Sequence, residues 1–191
     1  SSGGLASGIW RGIRDLEAVG LIDEPPRLYV VQTAASDPIT QAFETGAEEP
    51  TALSPDETGE TIAHSIGNPD PPSGTRALAA VRDTDGAVVS VTDDEIRTAQ
   101  RRFAVDGGFS VEPAAATPLA GVTRLSERGE IGPDESVVLE AFSPDSAVLP
   151  GGLTRQGAVS FIMNEDRGVG DPVRLFVSDA AVLEGDEVAG H

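Results

Sequence analysis

Leu28-Tyr29-Val30-Val31, followed by Asp37-Pro38, is the stretch on which the fold turns. An unbroken apolar run of this kind reads as a strand buried on both faces, the pattern of a parallel sheet. Asp37 as N-cap and Pro38 in the first turn then open a helix expected to reach about Gly46. A second unit repeats the grammar. Ala87 to Val91 is a strand, Thr92 caps the next helix, and Glu95 three residues later completes a capping box. That helix is expected to run to about Val105. Strands alternating with helices predict α/β architecture with a largely parallel sheet.

Working outward, Leu5, Ile9, Ile13 and Leu16 recur at helical spacing, so residues 5–20 read as a helix stopped by Gly20. Residues 47–60 are acidic and proline-bearing, an exposed loop. Residues 67–74 are a rigid turn, followed by a helix at about 75–83. After Gly107-Gly108, Phe109-Ser110-Val111 reads as a short extended segment. Pro113 opens an alanine-rich helix to about Arg128, with an interruption or kink expected at Pro118. Ser136 to Ala141 reads as another buried strand. The character then changes: Val159–Met163 and Val173–Val177 read as strands joined by the turn-rich Asn164–Pro172, a small hairpin unit. The expected division is 1–141 and a divergent β-rich or disordered tail, 142–191.

Composition narrows the function. The chain of 191 residues holds 32 acidic and 13 basic side chains, for a net charge of −19, and every basic one is arginine. Such a surface repels nucleic acid and anionic membranes, and Arg101-Arg102 is too short a patch to reverse that. Salt near 1 M shrinks the Debye length to about 3 Å and removes most of the self-repulsion. An acidic, lysine-free, alanine-rich chain is expected of a high-salt cytoplasm; one acidic protein of an ordinary cell is the alternative. With no cysteine, disulfides, thiolate metal sites and cysteine nucleophiles are excluded. No apolar run approaches the ~20 residues of a membrane span, and no signal peptide is evident, so a cytoplasmic location is expected. Asp93-Asp94 lacks the loop spacing of a dedicated cation site, so no metal is expected. The opening Ser1-Ser2-Gly3-Gly4, without an initiator Met, is what a fragment or a processed chain would show.

Ser1-Ser2-Gly3-Gly4-Leu5 is also the best chemical motif. Small residues ahead of a helix let backbone N–H groups and the helix dipole approach a phosphate. An ordinary serine-capped helix start is the competing reading.

Several segments in order resemble the C-terminal half of the threonine synthase family, fold type II pyridoxal-phosphate enzymes. They are Gly3-Gly4-Leu5-Ala6-Ser7-Gly8-Ile9-Trp10-Arg11-Gly12, then Val30 to Ile39, and then Glu60-Thr61-Ile62-Ala63-His64-Ser65-Ile66-Gly67-Asn68-Pro69. Val91 to Ile96 and Val111 to Ala116 follow. The resemblance covers residues 1 to about 140 and implies a partial three-layer fold, with the β-rich tail outside it.

It further implies that Ser1, Ser2, Gly3, Gly4 and Leu5 hold the phosphate of pyridoxal phosphate. Glu112 would lie on the cofactor side of the cleft, where a carboxylate serving only a helix N-terminus is the alternative. The Gly67-Asn68-Pro69 turn would border the active site. His64 is expected to be a surface or packing residue. The family's Thr or Ser partner of the pyridine nitrogen is replaced by Phe142-Ser143; Phe142 cannot make that bond, and Ser143 would, with a one-residue shift. The cofactor-bearing lysine would belong to a missing N-terminal half or a separate lysine-bearing chain, leaving no catalytic residue here. The whole enzyme would act on a small phosphorylated amino acid, converting O-phosphohomoserine and water to threonine and phosphate. The isolated chain is expected to be inactive. A non-enzymatic anion- or partner-binding module, another fold type II enzyme such as a threonine dehydratase, and a homodimer all stay open.

Overall fold

A computed structural model describes residues 2–23, 25–108, 110–132, 135–148, 154–163 and 174–177, with backbone alone from position 141 onward. The elements are α1 (Gly4–Ala18), β1 (Val30–Thr33), α2 (Pro38–Thr45), α3 (Gly74–Asp83), β2 (Val88–Val91), α4 (Asp93–Val105) and α5 (Pro113–Glu127). Three strands follow: β3 (Val137–Val148), β4 (Thr154–Met163) and β5 (Arg174–Val177).

β1 and β2 pair in parallel, Val30 opposite Val88 and Thr33 opposite Val91. Side chains on a strand alternate between faces, and the core follows that period. Val30 and Val88 pack with Ile39 and Ala42 of α2 and Ala77, Leu78 and Val81 of α3. On the other face, Val91 packs with Ile96 and Phe103 of α4 and Ala115, Ala116 and Leu119 of α5. Val89 meets Leu125 and Ile131 there. The result is a mixed α/β fold: helices, a parallel strand pair, helices.

Gly121 sets the spacing of the second layer. A Cβ at this position would run into the Val31 side chain, so glycine lets α5 lie directly on β1. Alanines at 114, 115, 116 and 120 are buried beside it, which is how a chain with 4% aromatics closes its core.

Three expectations are corrected. The first strand lies at Val30–Thr33 rather than 28–31, because Gln32 and Thr33 are fully buried with internal partners. The Gln32 Oε1 accepts the Thr40 N–H at 2.9 Å, and the Thr33 hydroxyl donates to Thr61 Oγ1 at 3.0 Å. Pro118 neither breaks nor interrupts α5, which is continuous from Pro113 to Glu127. The proline removes one N–H bond, to the Ala114 carbonyl, while seven residues between Ala114 and Gly121 are buried and hold the turn in place. The strand expected at Ser136–Ala141 continues to Val148, and it is not buried on both faces: Leu139 is buried while Val138 is 56% exposed. It pairs antiparallel with β4 and not with the parallel pair.

β4 pairs antiparallel with β5, so both hairpin strands read from the sequence are present, with β4 starting at Thr154. Phe109 and the link at 164–173 lie outside the described residues, as does everything after Val177.

Candidate functional site

Four helix N-termini converge on the carboxyl edge of the parallel strands. α2 follows the end of β1, and α4 follows the end of β2. α3 leads back into the start of β2, so its own start lies at the carboxyl edge. α5 packs its first half against Val91, Ile96 and Ala63, and its Leu125 end against Val89 and Ala87, so it too begins there. In open α/β sheets this edge is where ligands bind, and helix N-termini present unpaired N–H groups to it.

The glycine-rich start of α1 reaches the same edge. Gly3 is the helix N-cap at φ 77°, a left-handed conformation that disfavours any side chain. It is also wedged: a Cβ there would lie 2.7 Å from the Ser73 carbonyl oxygen and 3.1 Å from Ala77 Cβ. The Ser73 N–H donates to the Ser2 carbonyl at 2.9 Å, locking the loop to the start of α3. The Ser7 hydroxyl donates to the Gly3 carbonyl. Ser2 Oγ accepts the Gly4 N–H at 3.3 Å, a long bond. The Leu5 and Ala6 N–H groups belong to the first turn and have no acceptor within the helix. Arg76, exposed, donates to Ser73 Oγ at 2.8 Å and puts a guanidinium at the rim of this loop.

A buried polar chain crosses the edge beside it. The Thr61 hydroxyl accepts from Thr33 and donates to Asp93 Oδ1 at 2.7 Å, and Asp93 Oδ2 accepts the Ile62 N–H at 3.1 Å. The Ala63 N–H donates back to Thr61 Oγ1. These bonds fasten the 61–63 segment, and with it the His64–Ile66 turn and Gly67-Asn68-Pro69, over the strand ends. Asp93, considered from sequence only as half of an acidic pair, does this tethering.

The remaining candidates are placed as follows. Glu112 is the N-cap residue of α5 and half-buried, on the layer opposite the Gly3 loop. His64 is exposed. Ser1 lies outside the described residues, and so does the side chain of Ser143, whose backbone is in β3 opposite Gly157. Ser73, Arg76, Thr61 and Thr33 were missed as site residues. Only the small-residue start of α1 had a local signature; its partners lie some seventy positions away in the chain. No group of three or more His, Asp or Glu side chains that could hold a metal occurs among the described residues, nor any helix long and apolar enough to cross a membrane.

Residues 1–141 match the family described as pyridoxal-phosphate dependent enzyme. The chain is 39% identical over 135 residues to a threonine synthase of Methanosarcina acetivorans, covering 71% of this chain and 33% of that protein. It is 38% identical over 135 residues to a threonine synthase of Methanocaldococcus jannaschii, with the same coverage. A cysteate synthase of Methanoculleus marisnigri is 32% identical over 149 residues, covering 72% of this chain and 34% of that protein. The chain thus spans about a third of the length of the curated relatives it matches. With the family match running from the Gly3 loop to β3, the chain belongs to the pyridoxal-phosphate-dependent enzymes.

Proposed function

We propose that this chain is the phosphate-binding, C-terminal portion of a threonine synthase, the whole enzyme converting O-phosphohomoserine and water to threonine and phosphate. The observation that carries the reading is the start of α1: a left-handed Gly3 seated on Ser73, ahead of a helix whose Leu5 and Ala6 N–H groups have no acceptor within the helix. Identities of 39% and 38% to two threonine synthases support the substrate class.

The residues present fit one end of pyridoxal phosphate. The Leu5 and Ala6 N–H groups and the Ser2 hydroxyl would hold the phosphate oxygens, with Ser1 and Gly4 alongside. The helix dipole favours the negative charge. Pyridoxal phosphate, when bound, supplies an electron sink for carbanions generated on the substrate. The Thr33–Thr61–Asp93 chain keeps the Asn68 turn against the strand ends, where it would border the substrate. Glu112 would line the far side of the cleft. The cofactor's aldehyde would have no covalent partner in this chain, which has no lysine. Its covalent attachment needs a lysine from an N-terminal portion or a separate chain. The isolated chain would bind the phosphate end and turn nothing over, in a cytoplasm for which a −19 surface suits high salt.

The test is reconstitution in molar salt with the N-terminal portion of a threonine synthase, assaying phosphate release from O-phosphohomoserine. Release that disappears on Gly3→Val supports the reading. Ammonia release from threonine, with no phosphate from O-phosphohomoserine, would make it a dehydratase. A second reading, a non-catalytic anion-binding module, is favoured by the absent lysine. It would give phosphate binding and no turnover in any combination.

A further inference from the structure

The start of α4 keeps the rules of a helix N-terminus. Thr92 caps the Glu95 N–H, and Asp93, Asp94 and Glu95 put negative charge in the first turn. The adjoining starts of α1 and α3 do not. Neither has an acidic residue in its first turn. α3 has Arg76 there, a cation at the positive end of the helix dipole. Ser73, its N-cap residue, caps nothing with its side chain; the hydroxyl accepts from Arg76 Nη2 at 2.8 Å instead. Arg76 is exposed and forms no ion pair among the described residues, in a chain with 32 acidic side chains. The same Ser73 holds the loop ahead of α1. Its N–H donates to the Ser2 carbonyl at 2.9 Å, and its carbonyl oxygen would lie 2.7 Å from a Cβ on Gly3. One serine thus ties a guanidinium to the Gly3 loop. Sites that break a local rule without a gain in stability are expected to be functional.

We infer that Arg76, held by Ser73, is a phosphate-contacting residue, its guanidinium meeting a phosphate monoester seated on the start of α1. This rests on the phosphate-loop reading above and adds a side chain to it. A guanidinium offers five N–H donors in a planar fork that matches two phosphate oxygens. The bond to Ser73 Oγ uses one donor and fixes the head group at the loop. The Leu5 and Ala6 N–H groups would face other oxygens of the same phosphate. A phosphate monoester carries close to two negative charges at neutral pH. It would relieve the cation at the start of α3 and supply the negative charge that both first turns lack. In a chain without lysine, a permanent cation at this place has to be arginine. Contact within the Debye length of about 3 Å survives molar salt, whereas the diffuse field of a −19 surface does not. The cofactor and the proposed substrate are both phosphate monoesters and offer Arg76 the same chemistry.

The first probe is pyridoxine phosphate, which has the cofactor's ring and phosphate but no aldehyde, and so cannot form a Schiff base with the α-amino group. O-phosphohomoserine is the second. The full 191-residue chain is titrated with each in molar chloride and followed by phosphorus NMR. Arg76→Gln should weaken binding about tenfold, and Arg76→Lys should weaken it less. Neither variant should lower the Tm of the free chain. In the complex, the second phosphate ionisation, about pH 6 in the free ester, should lie lower with the parent than with Arg76→Gln. Arg76→Lys should restore it, which a purely structural bond to Ser73 would not do. A loss with pyridoxine phosphate assigns Arg76 to the cofactor's phosphate, and a loss with O-phosphohomoserine alone assigns it to the substrate's; either supports the inference. The inference is overturned if both variants bind both probes as tightly as the parent. It also fails if Arg76→Gln binds more weakly only through a lower Tm, with the bound phosphate's ionisation unmoved. Binding that Gly3→Val abolishes and the Arg76 variants spare keeps the loop and removes Arg76. Binding that Arg76→Gln weakens and Gly3→Val spares keeps Arg76 and removes the loop. Gly3→Ala replaces Gly3→Val should circular dichroism show the latter unfolded. A parent that binds neither probe overturns both.

Discussion

α1 and α3 pack against each other, both are amphipathic, and both have well-formed ends, yet their fates differ. α1 closes with Gly20 at φ 70°, its N–H donating to the Glu17 carbonyl and that of Leu21 to the Leu16 carbonyl, each at 3.0 Å. α3 closes the same way with Asp85 at φ 51°, the Gly86 N–H donating to the Val81 carbonyl at 2.9 Å. These are the hydrogen bonds of a Schellman end. What separates the helices is burial. Among the described residues, α3 has a sheet, α2 and α1 around it, whereas α1 packs chiefly on α3. An apolar period therefore specifies a face, and the presence of a neighbour decides whether that face becomes core.

The largest effect should separate the two helices directly. Leu78 of α3 is fully buried, so Leu78→Ala should cost about 2–5 kcal/mol through lost contacts and a residual cavity. Leu16→Ala on α1 should change the stability of the free chain by no more than about 0.5 kcal/mol. Urea unfolding of both variants measures the contrast, and equal costs would mean that α1 is as integral to the fold as α3.

Gly121→Val sharpens the comparison from the sheet's other face. The added side chain meets Val31 at once, so α5 must move off β1. Overpacking of this kind costs about 1–3 kcal/mol. Gly8→Ala on α1 meets no atom within 4 Å and should be neutral or stabilising. Thermal melts of the pair would show whether glycines in the two helices serve different ends.

How far the sequence discloses this follows from the range of each interaction. The Thr92–Glu95 box is local, and it is present as read: the Thr92 N–H donates to Glu95 Oε2 at 2.7 Å, and Thr92 Oγ1 accepts from the Glu95 N–H. Asp37 was legible as an N-cap position, but its carboxylate accepts from Ser90 and Gln41 instead of capping α2. That choice depends on β2, fifty-three positions along the chain. A separation of 32 positions likewise hides the bond between Thr61 and Asp93 in either segment taken alone. Gln32 and Thr33 look like a strand's polar end because their partners are out of view. The start of α1 was legible as a loop that admits an anion, and Ser73, on which it sits, was not.

Thr92→Ala tests the locally legible part. Losing the cap should cost about 1 kcal/mol, as exposed N-caps do, well below Leu78→Ala, and the loss should be confined to α4 in amide exchange. A loss spreading to the 61–63 segment would show that Asp93 depends on this cap for its position.

The smallest expected effect is a pH dependence at the same helix start. Burial raises the pKa of the Glu95 carboxyl, but the Thr92 hydroxyl and N–H bonds and the Arg124 guanidinium outweigh it, and the net shift is below the ordinary glutamate value. Arg124 Nε lies 2.9 Å from Glu95 Oε1, and the same arginine donates to the Ser90 carbonyl, so the pair joins α4 and α5 over the end of β2. A lowered folded pKa means that the folded chain holds the proton less tightly than the unfolded chain. The stabilisation is therefore complete above the unfolded glutamate pKa and is lost as pH falls through the folded one. With both side chains about a third exposed, solvent screening limits the pair to a few tenths of a kcal/mol. Urea midpoints of the parent and Glu95→Gln should differ at neutral pH and converge in the acid range below the ordinary glutamate pKa. A gap that persists there would mean that Glu95 acts through packing, and that α4 and α5 are held together by their apolar contact alone.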